Sequence, residues 1–293
     1  ADVIKGARQI EGLFTLWQKD DKVWIEIGPA QFEQSYLLVA ARTSGLGERG
    51  LYANWPLGRQ VVSWRKINGT AQLLARNTQF GAQGDPGLAR AARISFSDSL
   101  IGSAPIASAE HPQRKSVLVE LSPIFLTDLP QLSRDMEVRY RLGYGFDARN
   151  SYFKPVRADA GQAVLEVTAH YSVPRLPVAP PGAPPGAVPS TPRNLADARS
   201  FFIDYQYVLA QMPDPPMRAR PADPRIGHFV QQNTDFGTGI ERDPRRFIVN
   251  RWRLEKKDPQ APMSEPVKPI VFWLDRNIPA RYREAIRAGV LEW

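Results

Sequence analysis

The chain of 293 residues contains no cysteine and three histidines, His111, His170 and His228. The absence of cysteine excludes disulfides, thiolate metal sites and a cysteine nucleophile. Catalytic zinc takes three protein ligands, often two histidines one helical turn apart. The three histidines are far apart in sequence, and none falls on an expected helix. His111 precedes a proline in a loop and is expected to be exposed, whereas His170 sits in a strand as a half-buried packing residue. No apolar run is long enough to span a bilayer as a helix. No serine lies in a G-x-S-x-G elbow, and no glycine pattern leads from a strand into a helix as a phosphate loop requires.

Hydrophobic residues make up 43% and charged residues 23%, ordinary values for a globular protein able to bury one or two cores. Thirty-eight Lys and Arg against thirty Asp and Glu give a net charge of +8. The arginines are scattered and interleaved with acids rather than gathered into a stripe. The excess therefore reads as solubility and a preference for acidic surfaces, not as a nucleic-acid footprint.

Local pattern predicts a mainly antiparallel β, α+β protein. Gly12–Trp17 and Lys22–Ile27 read as a hairpin around Gln18–Asp21, with Val23, Ile25 and Ile27 alternating inward. A helical turn over Pro29–Gln34 leads to a strand over Tyr36–Ala41. Asn68-Gly69 separates two alternating runs, Arg59–Ile67 and Thr70–Arg76, and is a strong hairpin signal because both positions require positive φ. Ala92–Ser97 and Ser116–Leu121 read as strands, Ser122-Pro123 as a helix start, and Gln131–Leu142 as helical. Tyr152–Val156 and Ala163–Tyr171 read as a hairpin.

The proline-rich stretch 172–194 excludes helix and sheet interior. It reads either as an interdomain linker or ligand for a proline-recognising module, or as a long loop within one domain. The second is preferred, because Ser200–Gln211 is a strong strand whose natural partner is Ala163–Tyr171 and loop closure costs little extra with length. Met212–Asp243 is irregular and dense in Pro, Asp, Arg and Gly, as expected of a stretch laid over another surface. Arg246–Leu254 alternates as a strand. The predicted organisation is a β-rich domain over 1–256, a connector over 257–267, and a strand and helix over 268–293.

In that last segment, Ile270–Leu274 forms a short apolar run expected to be a buried strand. Pro279 suits a helix start. Ile278, Tyr282, Ala285, Ile286, Gly289, Val290 and Trp293 then recur at helical spacing to give one apolar face, which needs a cover. The segment reads as the opening strand and helix of a further domain.

RWRLEKKDP (251–259), SEPVKPIVFWLDRNIP (264–279) and the closing GVLEW resemble the entry into the peptidase domain of a family of large bacterial zinc-dependent, metzincin-like metalloproteases. GLFTLWQKDDKVWIEI (12–27), SYLLVAARTSG (35–45) and MRARPADPRIGHF (217–229) resemble the long N-terminal region of the same family. The resemblance implies a non-catalytic pro- or scaffold region, secreted or periplasmic. Its partners would be its own peptidase domain and that enzyme's peptide substrate, and zinc would belong to the peptidase domain. The chain contains no HExxH, so none of the family's zinc ligands or its general base is carried onto a residue here, and no catalytic, cofactor-binding or metal residue is assigned.

Asp223, Arg225 and His228 are the candidate cleft-facing residues. In one reading Asp223 or His228 faces zinc or substrate subsites, a carboxylate latch standing where a cysteine is absent. In the other, Asp223 pairs with Arg225 or caps a turn and Phe229 anchors the loop. Arg218, Arg220 and Arg225 could bind a carboxylate or phosphate, or pair with Asp214, Asp223 and Asp235. Trp17, Trp24, Trp64, Trp252 and Trp273 fall in expected strands and are read as packing residues. The alternative to the protease reading is a stand-alone β-rich module binding peptide, glycan or a cell-envelope partner, with an unrelated hydrolase third.

Overall fold

Alternating apolar residues build most of the structure. The computed structural model describes residues 2–184, 186–237 and 243–292. The strands and helices in chain order are β1 (Arg8–Ile10), β2 (Thr15–Lys19), β3 (Lys22–Ile27), β4 (Tyr36–Arg42), β5 (Trp55–Ile67), β6 (Thr70–Ala75) and β7 (Phe80–Gly81). Then come α1 (Pro86–Ser95), β8 (Ser99–Pro105), β9 (Val117–Glu120), α2 (Ser122–Phe125), α3 (Leu132–Tyr140), β10 (Gly145–Phe153), β11 (Arg157–Asp159) and β12 (Gln162–Ser172). The chain continues through β13 (Ser200–Gln211), β14 (Val230–Asp235), β15 (Arg245–Val249) and α4 (Ala280–Leu291). The fold is α+β and mainly antiparallel β. By contacts it divides into two units, Ala1–Pro216 with Thr234–Pro244, and Met217–Asn233 with Arg245–Trp293.

In the first unit, a long antiparallel sheet runs in the order β10-β12-β13-β4-β5-β6-β8, with β11 also on β12. A smaller sheet runs β1-β2-β3-β9, and an Ile106–Val119 bridge links the two. Thr234 and Asp235 pair in parallel with Phe80 and Gly81. The expected partnership of β12 and β13 extends over their full length, from Gln162–Ala210 to Ser172–Ser200. The proline-rich stretch is thus a loop between paired strands. It is tied down where Ser190 N–H donates to Tyr140 O at 3.0 Å and Arg141 donates to Val188 O at 2.9 Å.

The β5–β6 hairpin turns at Asn68 (φ +47°) and Gly69 (φ +75°), the positive values an Asn-Gly turn requires. Inward residues of both sheets, among them Leu16, Ile25, Trp64, Leu73, Tyr171, Ile203 and Tyr207, form one core. Helix α3 adds Leu132, Met136 and Tyr140, spaced to share one face. Arg42 is buried, and its guanidinium donates to Tyr52 O at 3.0 Å and Gly50 O at 2.9 Å, fastening the loop that follows β4.

Several sequence expectations about elements and packing fail. Ala92–Ser97 is not a strand: Asp85 accepts from Leu88 N–H as an N-cap, Pro86 occupies the first turn, and α1 covers most of that stretch. Ile270–Leu274 is not a strand either, since no neighbouring strand offers its edge among the described residues. Trp252 and Trp273 are 60% and 92% exposed, so neither packs into a core, unlike Trp24 and Trp64.

In the second unit β15 carries a short irregular partner: Ala222 N–H donates to Phe247 O at 2.8 Å and Val249 N–H to Arg220 O at 2.9 Å. Helix α4 forms where expected, with Pro279 as its N-cap. Arg283 ties down the turn before it by donating to Ile278 O at 3.0 Å and Arg276 O at 2.7 Å. Among its described residues none is buried.

Candidate functional site

Of the sequence candidates, Asp223 and Arg225 share one turn and His228 follows just beyond it. Pro224 fixes the backbone after Asp223, and Ile226 N–H closes the turn on Asp223 O at 3.1 Å. The Asp223 carboxylate accepts from Arg225 Nε at 2.9 Å, from the terminal guanidinium nitrogen at 2.6 Å and from the Arg225 backbone N–H at 3.0 Å. The Arg225 side chain holds the Asp223 pKa down to about 2, and His228 pulls in the same direction. Asp223 is therefore an anion already claimed by a fork of donors. To bind a metal it would first have to give up Arg225. Phe229 is 89% exposed, so its ring does not anchor the loop to a core as expected, although its carbonyl accepts the Asn250 N–H at 2.8 Å.

The histidines are engaged locally. His111 is partly buried rather than exposed, and its Nδ1 accepts the Arg114 N–H at 3.1 Å. His170 lies half-buried on β12, with its ring 4.7 Å from that of Phe202 and its Nδ1 2.9 Å from Asp147 Oδ2. Among the described residues no group of three or more His, Asp or Glu is placed to hold a metal ion. No described helix is long and apolar enough to cross a membrane.

A separate feature of the second unit is apolar. Trp252, Ile270, Phe272, Leu274, Val290 and Leu291 line a groove of about 580 Å³ within the second unit. Trp252 meets Phe272 edge-on with ring centres 6.4 Å apart. Most of this surface faces outward: Val271 is 57% exposed, Phe272 62%, Leu291 69%. Contiguous exposed apolar surface of this kind marks an interaction site. The amphipathic spacing was visible in the sequence, but the groove was not, because Trp252 reaches it from beyond the connector.

A polar cluster on the outer face of the long sheet escaped sequence reasoning altogether. Asp204 on β13 accepts from Lys154 Nζ at 2.6 Å and from Thr168 Oγ1 at 2.7 Å. These residues border a shallow cavity of about 680 Å³ with Arg149, Tyr152 and Phe202. Only the strand register brings them together, so no local spacing announces them.

No curated protein and no solved structure matches the chain. A family model described as a domain of unknown function, DUF5117, matches residues 56–257, a span from β5 to just past β15. The chain belongs to the DUF5117 family.

Proposed function

We propose that this chain is the non-catalytic N-terminal, pro- or scaffold region of a bacterial zinc-dependent metallopeptidase, secreted or periplasmic. It supports the peptidase domain and covers its cleft through Met212–Asp243, with Asp223, Arg225 and His228 on the covering segment. The observation that carries the reading is the unburied apolar surface of Ile270–Leu274 and α4, where Trp273 is 92% exposed. An isolated helix of this length is marginal in water, so such a face is stable only against a partner. The partner is the peptidase domain of the same protein, in which 268–293 supplies the first strand and helix. Ile270–Leu274 has the composition of a strand and lacks only a neighbour.

In the parent enzyme zinc supplies an activated water for peptide hydrolysis, with a glutamate as general base. In this reading zinc and its ligands belong to the peptidase domain. The test adds this chain to the separately purified HExxH-containing domain and measures complex formation and proteolysis. A stable complex with altered activity supports the proposal. Unchanged activity with no complex rejects it.

A second reading, a β-rich binding module, is favoured by one observation: the first unit fills a continuous core with its own residues, from Phe14 to Leu209. It requires that unit to bind peptide, glycan or an envelope protein without any peptidase domain.

A further inference from the structure

A cavity of about 390 Å³ opens in the first unit between β5, the segment after β6, β7 and α1. Small residues make the room: Ala89 and Ala92, three apart on α1, face Gly81 and Ala82 of the β7 segment. Arg65, Arg76 and Arg93 line its polar side. Two of these are committed. Arg76 Nε lies 3.2 Å from Asp98 Oδ2, and Arg65 Nε lies 3.3 Å from Glu33 Oε1, which also approaches Arg76 through its second oxygen at 3.8 Å. Arg93, in the last turn of α1, makes no ion pair or side-chain hydrogen bond among the described residues. Of the three guanidiniums on this side, two are paired with carboxylates and Arg93 is paired with none among the described residues.

The apolar side is aromatic. The rings of Phe80 and Phe96 stack with centres 4.4 Å apart and 12° between planes. Phe236 stacks on Phe96 in turn at 5.7 Å and 2°. Phe80 remains 38% exposed, so the stack is open to a further ring. The backbone here is fixed: Asp235 accepts the N–H groups of both Gln83 and Gly237 at 2.9 Å. A Cβ on Gly237 would lie 1.8 Å from Gln83 O, so only glycine lets these segments close together.

The geometry points to a binding site for a monoanionic carboxylate carried next to a planar ring, as in an aromatic acid or a peptide ending in an aromatic residue. Arg93 takes the carboxylate as a planar fork. The ring extends the Phe80–Phe96 stack. One unmatched positive charge suits a carboxylate, whereas a phosphate dianion would leave excess negative charge against Glu33 and Asp98. This site stands on the first unit alone and does not rest on the peptidase reading.

Isothermal titration of the full chain with N-acetylphenylalanine tests it, beside N-acetylphenylalaninamide, N-acetylalanine and adenosine monophosphate. The acid is expected to bind, and the amide and the alanine derivative to bind at least about tenfold more weakly. Arg93→Gln is expected to weaken the acid by about tenfold with its thermal melt unchanged, because Arg93 makes no ion pair or side-chain hydrogen bond among the described residues. Ala89→Leu, which fills the cavity, should abolish binding. A tetrapeptide ending in phenylalanine separates the two sources: equal or tighter binding assigns a peptide end, exclusion assigns a free acid. No binding of the acid, equal binding of acid and amide, tighter binding of the nucleotide, or an unaffected Arg93→Gln would each overturn the site.

Discussion

The hydroxyl of Tyr171 on β12 donates to Oδ1 of Asp128 at 2.8 Å, and the same carboxylate accepts the backbone N–H groups of Leu132 and Ser133 at 2.8 and 3.0 Å. One side chain thus caps α3 and satisfies a fully buried phenol. Asp128→Ala should cost about 2–4 kcal/mol, since it uncaps the helix and leaves the Tyr171 hydroxyl only that of Tyr205, at 3.4 Å. Tyr171→Phe should cost about 1 kcal/mol, because the cap survives. Urea unfolding of both variants measures this, and equal losses would show that the cap contributes nothing.

Burial raises the pKa of Tyr36 and Tyr144 to about 12, and drives those of Tyr140, Tyr171, Tyr205 and Tyr207 upward too. The folded state therefore holds these protons more tightly than the unfolded chain, whose phenols ionise near pH 10. Their contribution to stability is complete below about pH 10 and is lost as pH rises toward the folded values, at about 1.4 kcal/mol per unit for each group. Near-UV absorbance and far-UV circular dichroism should show these tyrosines ionising together with unfolding. A smooth titration of all nine tyrosines in an intact fold would contradict their burial.

Two glycines carry different loads. Gly69 has φ +75° and open space around its missing Cβ, so Gly69→Ala pays only for conformation, about 1–2 kcal/mol. At Gly45 a Cβ would lie 2.5 Å from Leu51 O and 2.7 Å from Ala53 N, both backbone. Gly45→Ala should therefore lower the melting temperature more than Gly69→Ala, and the reverse order would contradict the packing of that loop.

Much of the sheet was legible in the sequence. Asn68-Gly69 names its own turn, and Ser200–Gln211 alternates so strongly that its partner could be chosen across a proline-rich loop. What failed did so for physical reasons. Ala92–Ser97 holds enough apolar residues for a strand, yet Asp85 and Pro86 start a helix upstream that runs through it. Ile270–Leu274 has strand composition, but a strand also needs an edge to join. The cavity lined by Arg65, Arg76 and Arg93, and the cluster of Asp204 with Lys154 and Thr168, are products of register. Only Asp223 and Arg225, two residues apart, could be paired from the sequence.

The second unit has no buried residue among those described, so its backbone is poorly protected. Limited trypsinolysis should cut at arginines and lysines in Met217–Asn233 and Arg245–Trp293 well before the first unit. Mass spectrometry should find a resistant fragment ending near Pro216, with the Thr234–Pro244 segment retained on it as a nicked peptide. Early cuts within β12 or β13 would contradict this order of stability.

The most direct measurement is pull-down of the HExxH peptidase domain by this chain, wild type against the double variant Trp273→Ser with Ile286→Ser. These residues are 92% and 39% exposed, so the changes should leave the thermal melt of the chain alone unaltered. The expected result is capture by the wild type and loss of at least about tenfold in affinity for the double variant. Capture that ignores the substitutions would contradict the role given to this apolar face, and failure of the wild type to capture the domain would contradict the proposed function itself.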